Sequence, residues 1–414
     1  MQKTISENKI SFYLVASALV LFYISDALNK YFQVSYSIND DSIENAFSAS
    51  IYVRFLYEGL FASIILIRLN ETRKKIIVGI IAMIVIFAIG QSAFLIHYNQ
   101  PDYSVFYHFT LLNKYLYVFI IYGGTYKIID NSEDYNFLTK IYENIVVINS
   151  ILIFVGLFLS VNLFKSYYSQ DFRYGFDGLI PAINEATLFY FIAISYFYYK
   201  HFILKQKNWK MYPVLLASLL LGTKTIYFFL IFLFLYHLAI NLSPGKKIIY
   251  ATVALIISIF LIVPVVTNPD YSFLYEHFKD VYEENGFLSM ITSGRIDVID
   301  TKISGNLSYW NILNYFFGGT DQFKYQIEMD FFDLFLFVGI IGSLSMFVLY
   351  FKTIFKNPYK NIFFSFFTSC YFLFAFMSGH IFYSATNALN LTLVAIFIRN
   401  NYNSQFLQNL VQVE

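Results

Sequence analysis

The chain has 414 residues, of which 58% are hydrophobic, 21% aromatic and 13% charged, with a net charge of +1. A water-soluble fold of this size could not hide so much apolar surface. The near-neutral balance provides no basic stripe to displace phosphate counterions, which excludes a nucleic-acid partner, and the single cysteine, Cys370, excludes a disulfide framework, a thiolate metal cluster and a CxxC redox pair.

A membrane-crossing helix needs about 20 mostly apolar residues. In chain order such runs lie at 11–30, 50–69, 75–97, 103–127, 141–164 and 182–200, then near 247–266, 331–351, 361–379 and 382–398. The stretch from Tyr212 to Leu242 is too long for one span and short for two. Its polar middle, Leu221-Gly222-Thr223-Lys224-Thr225, divides it into two short helices. The expectation is an all-α polytopic membrane protein, one domain over 1–414, with about twelve transmembrane helices and one large, partly helical outer loop between about 267 and 328. The first apolar run carries Asp26 and Lys30 with no small-residue cleavage site behind it, so it is expected to remain as a span.

Positive charge sets the orientation. With a cytoplasmic N-terminus, 18 of the 28 Lys and Arg fall on inward segments, and the C-terminus is cytoplasmic too. Only Lys30, Lys165, Arg173, Lys279, Arg295, Lys302 and Lys324 fall on outward ones. Splitting the 212–242 run at Lys224 is what keeps the later basic loops inside. The second outer loop, about Lys165 to Ile180, carries Asp171, Arg173, Gly175, Asp177 and Gly178.

The chain lacks HExxH, a Walker-type glycine loop, GxSxG and Asp-x-Asp, and its six histidines are not spaced as ligand pairs, so neither metal nor cofactor is expected. What remains is Glu328-Met-Asp330-Phe-Phe-Asp333, three carboxylates running straight into an apolar helix that contains Gly339-Ile-Ile-Gly342. Ionisable groups at the mouth of a membrane helix are costly and mark a functional site. Asp330 and Asp333 share a helix face, where two acids at an N-terminus are also favourable for the helix itself; three carboxylates exceed what capping requires. Arg173, Lys224 and Arg295 supply outward cations, each weighed against a solvated or snorkelling side chain, and His380 beside Gly379 is an accessory candidate weighed against a hydrogen-bonded polar group. Arg54 and Glu58, at i and i+4, are expected to neutralise one another, and Lys114 and Asp26 to belong to structural ion pairs.

These residues resemble a family. Ser293-Gly294-Arg295 opening the large loop, the acidic segment before Gly339-Ile-Ile-Gly342, Arg173-Tyr-Gly-Phe-Asp-Gly with Asn184-Glu185-Ala186, and the break Leu221-Gly-Thr-Lys224-Thr are together similar to the superfamily of O-antigen ligases and Wzy-type O-antigen or capsular polysaccharide polymerases. Where the ligases carry histidine, eleven residues before the first glycine, this chain has Glu328; where they carry arginine at the helix break it has Lys224. The glutamate favours the polymerase over the ligase. The resemblance implies a bacterial inner-membrane enzyme with its site facing outward: an inverting, metal-independent glycosyltransferase that joins undecaprenyl-diphosphate-linked oligosaccharide repeats. Glu328 is implied as the base, supported by Asp330 and Asp333. Arg173, Lys224 and Arg295 are implied as the diphosphate cradle, and membrane lipid and a chain-length regulator as partners. A lipid-linked oligosaccharide flippase, with ionisable groups near the midplane, is the alternative outside the enzymes.

Overall fold

The computed structural model describes residues 2–37, 49–128, 132–167, 174–241, 243, 245–250, 252, 269–292, 294–357 and 360–411. Arg173, Ser293 and most of the expected run 247–266 lie outside them. The helices in chain order are α1 (Gln2–Ser37), α2 (Ala49–Ile67), α3 (Glu71–Leu95), α4 (Val105–Thr125), α5 (Ser132–Leu159), α6 (Ile183–Tyr198), α7 (Met211–Leu219) and α8 (Lys224–Asn241). They continue with α9 (Pro269–Thr292), α10 (Arg295–Leu307), α11 (Ile312–Phe317), α12 (Gln322–Tyr325), α13 (Asp330–Lys352), α14 (Ile362–Met377) and α15 (Ala385–Val411). No β-strand occurs among the described residues.

Five helices, namely α1, α2, α3, α5 and α13, are long and apolar enough to cross a membrane, and α8 and α14 are shorter apolar helices. Burial separates a lipid-facing shell from a centre. On α2, Phe55, Leu56, Leu66 and Ile67 are exposed, as suits a face against hydrocarbon. By contrast α6 from Ala186 to Tyr198, α15 from Leu389 to Ile398 and α4 from Tyr115 to Thr125 are buried on every side. A helix apolar all round is a core helix. These three form the centre, and their N-terminal ends bring Lys114, Glu185 and Thr386 to one end of the bundle.

The break expected at Leu221 to Thr225 is present. Helix α7 stops at Leu219, Gly222 takes a left-handed φ of 72°, and α8 begins at Lys224. The second outer loop docks on this break backbone to backbone: Phe176 N–H donates to Leu220 O at 2.8 Å, and a Cβ on Gly222 would lie 2.2 Å from Tyr174 O. Beyond it, Asp177 pairs with Lys30 of α1, and both are buried.

The described part of the large loop is mostly helical, and part of it packs among the long apolar helices. Helix α11 and the turn Gly318-Gly319 wedge between α3 and α13. A Cβ on Gly90 would meet Phe317 O at 2.1 Å; one on Gly339 would meet Gly318 N at 2.4 Å. Gly339 also has a φ of 67°, which interrupts α13. Irregular backbone among membrane helices is tolerated only where protein satisfies it. Here Gly319 N–H donates to Leu336 O at 2.9 Å, Asn314 Nδ2 to Gly90 O at 2.9 Å, and Trp310 Nε1 to Gly319 O at 2.6 Å. Replacing Gly339 by valine should cost more than about 3 kcal/mol, from overpacking and a forced left-handed backbone. Thermal unfolding of the solubilised protein checks this against Gly59→Ala, where the Cβ enters open space; that variant should be neutral or stabilised by up to about 1 kcal/mol.

Candidate functional site

The segment before α13 positions its acidic residues by alternation. Ile327 and Met329 are 2% and 1% exposed and pack with Leu336, Trp310 and Phe332, so Glu328 between them is turned outward. Its side chain is 53% exposed and its backbone is left-handed, with a φ of 62°. Such a conformation costs a residue with a Cβ about 1–2 kcal/mol and persists only where its surroundings impose it.

Two buried aspartates impose it. Asp333 Oδ1 accepts the Ile327 N–H at 2.7 Å, fixing the residue before Glu328. Asp330, 0% exposed, accepts three backbone N–H groups from the turn between α14 and α15: His380 at 2.9 Å, Ile381 at 2.7 Å and Phe382 at 2.8 Å. Bonds from N–H groups to an ionised carboxylate are among the strong ones, and the N-terminus of α13 adds a favourable field. The clamp presses the two segments together so closely that a Cβ on Gly379 would lie 3.0 Å from Glu328 Cα. His380 is forced into a left-handed φ of 70° as well. Both aspartates therefore act through the backbone, and their burial keeps them from touching a substrate; their place among the catalytic candidates becomes a positioning one.

Arg295, the first residue of α10, reaches the same point. Its Nη2 lies 3.1 Å from Glu328 Oε2 and its Nη1 donates to Met377 O at 3.4 Å. Burial holds the His380 imidazole below the usual histidine range; Glu328 opposes this, while Lys114 and Arg295 push the same way as burial. The tip of the site is thus the exposed Glu328 with the half-buried Arg295 and His380, the Tyr383 ring lying 4.9 Å from that of His380 and its hydroxyl accepting from Gln326 at 3.0 Å. Lys224 lies to one side, at the start of α8, where its ammonium donates to Met290 O at the end of α9.

A second polar layer lies below this tip. Arg54 does not pair with Glu58, against the i,i+4 expectation: its Nη2 binds Asp26 Oδ1 at 2.6 Å and Thr386 Oγ1 at 2.7 Å, tying α2 to α1 and α15. Glu58 instead accepts from Asn113 at 2.7 Å. The tertiary partner wins because the buried Asp26 needs a cation more than the partly exposed Glu58 does. Asp26 is the ion-pair member its sequence suggests, whereas Lys114 makes no ion pair or hydrogen bond among the described residues. Glu185, half-buried at the start of α6, completes this layer; its only sequence signal is the Asn184-Glu185-Ala186 triplet. No group of three or more His, Cys, Asp or Glu suited to a metal occurs among the described residues. Comparison with protein-family models, curated proteins and solved structures finds no match to the chain.

Asp330→Ala leaves three buried N–H groups without an acceptor and should cost about 3 kcal/mol or more, read by thermal unfolding. Glu328→Gly, which relieves a left-handed residue and loses one exposed ion pair, should stay within about 1 kcal/mol of wild type. Because His380 titrates below its unfolded range near 6.5, the unfolded chain takes up the proton first. Stability should therefore fall as pH drops below about 6.5, by at most about 1.4 kcal/mol per unit, until the folded imidazole titrates. His380→Asn, which tolerates the left-handed backbone, should flatten that limb in melts from pH 7.5 to 5.

Proposed function

We propose that this chain is a polysaccharide polymerase of the Wzy type, with about twelve membrane spans, working at the outer face of a bacterial cytoplasmic membrane. It would transfer a growing glycan from undecaprenyl diphosphate to a hydroxyl of a second lipid-linked repeat unit. One observation carries this: an exposed carboxylate, Glu328, held in a strained backbone 3.1 Å from Arg295, at the mouth of an apolar helix. A strained residue clamped by buried groups is an arrangement kept for chemistry.

The pair suggests how the two groups share the work. With no substrate bound, Arg295 pairs with Glu328 at 3.1 Å. A lipid diphosphate, carrying more charge than one carboxylate, competes for the guanidinium and releases Glu328. The carboxylate then takes the proton of the acceptor hydroxyl as that oxygen attacks the anomeric carbon from the face opposite the leaving group. The bond from anomeric carbon to phosphate oxygen breaks with inversion, and the diphosphate departs against the cations. His380, neutral and next to Glu328, orients the acceptor. Lys224 begins the helix after the break on which Tyr174 to Phe176 dock, which favours a role for it on the lipid side, with Arg173 a sequence-based candidate beside it.

A flippase for lipid-linked oligosaccharide is the second reading, favoured by the deeper charges of Asp26, Arg54 and Lys114. The two readings diverge in the cell. Under the polymerase reading, Glu328→Gln yields normal amounts of membrane protein, no long glycan chains, and single lipid-linked units exposed in the outer leaflet. Arg295→Lys should keep less than about a tenth of the activity, since lysine lacks the planar fork. Glycan ladders of normal length from Glu328→Gln would overturn the role of that base; repeat units trapped in the inner leaflet of a strain lacking the protein would favour the flippase.

A further inference from the structure

Lys114 stands tenth in α4, about 14 Å below the start of that helix at the usual rise. Its neighbours define where it points. On the same helical stripe, Leu111, Tyr117, Val118 and Ile121 are 6%, 2%, 3% and 0% exposed, while Thr110 is half-buried and Tyr107 exposed, so Lys114 stands where a buried stripe opens toward the N-terminal end of α4. Asn113 beside it is engaged with Glu58 of α2, and Tyr115 lies edge-on to Tyr383 at 5.2 Å and stacks on Phe337 at 5.5 Å. Yet Lys114 is itself exposed to water-sized contact. A lysine on that stripe that water can touch lines an opening in the bundle.

The charges around that opening are uneven. Arg54 is already bound to Asp26 and Thr386, and Arg295 to Glu328. Glu185 attracts Lys114 from α6 and Arg54 repels it, while its charge reaches His380 at the tip. Lys114 makes no ion pair or hydrogen bond among the described residues. A side chain on a helix leans toward the N-terminal end, here the end carrying His380 and Glu328. A lysine at membrane depth without an ion-pair partner among the described residues is favoured where an anion visits it.

We propose that Lys114 is a binding residue for the diphosphate of a polyprenyl-linked substrate, set below the exposed tip so that the phosphates sink into the opening while the sugar stays at Glu328. This rests on the reading of the site as one for a lipid-linked diphosphate. The ammonium acts as a point charge with rotatable donors and can follow two phosphates, which suits a ligand that must enter and leave.

The test uses the full-length purified protein in nanodiscs, with a short-chain polyprenyl diphosphate, its monophosphate, the free polyprenol and inorganic diphosphate as probes. Lys114→Gln should weaken diphosphate-lipid binding at least tenfold and leave polyprenol binding unchanged, and Lys114→Arg should restore most of it. Tight binding of inorganic diphosphate alone would move the assignment to a free anion. In a Cys370→Ser background, Lys114→Cys should react with a membrane-impermeant thiol reagent added from outside. A cationic reagent should recover binding, and an anionic one should not. No labelling would overturn the opening, and labelling without any effect of the added charge would overturn the phosphate role. If Lys114 behaves as expected while a strain lacking the protein still makes full-length glycan, the binding site stands and the polymerase reading falls.

Discussion

The geometry of the candidate site depends on one carboxyl group. Asp330 is a carboxyl group buried away from solvent, and no cation lies within ion-pair distance of it among the described residues. Three N–H groups from a single turn and the start of α13 offset a desolvation cost of several kcal/mol. Because all three donors come from residues 380–382, the carboxylate does more than satisfy itself. It fixes the α14 to α15 turn against the entrance of α13, and so sets His380 beside Glu328. Asp333 does the same for the residue on the other side, through Ile327. Glu328 and His380 sit in left-handed backbone with Glu328 exposed, and the two aspartates that hold them are buried.

That division explains which parts of the site the sequence discloses. Three acids before an apolar helix mark the location, since no membrane protein places charge there without cause. Their roles are not marked, because burial is a tertiary property: Glu328 and Asp330 are two residues apart and differ from exposed to fully buried. The alternation of Ile327 and Met329 around Glu328 is the one local hint. Likewise Arg54 and Glu58 have the spacing of a helical pair, but spacing gives only opportunity, and Asp26 on another helix is the partner with more to gain. Lys114 is visible as an odd residue in an apolar run, while the opening it lines requires the packing of α2, α4, α6 and α15 to be known.

The helical elements are more readable than their arrangement. The break at Gly222 follows from a glycine beside polar residues between two apolar runs too short to be one span. The wedge of α11 and Gly318-Gly319 between α3 and α13 has no such signal. It depends on Gly90, Gly318, Gly319 and Gly339, which lie in separate segments and become meaningful only when their backbones meet within van der Waals contact. Each glycine taken alone reads as a turn or as a weak point in a helix.

The wedge and the site are also mechanically connected. Helix α13 is split at Gly339, and only its first half, from Asp330 to Val338, carries the two clamping aspartates. That half is held on one side by Gly319 N–H bonding to Leu336 O and on the other by Asp330 on the 380–382 turn. An unbroken helix from Asp330 to Lys352 would have its direction set by the whole length of its packing. With the break, a short rigid segment of about 13 Å is placed by its own two attachments. The position of Glu328 therefore depends little on how the second half of α13, beyond Gly339, packs against its neighbours, and this end of the bundle can keep its geometry while the rest accommodates lipid.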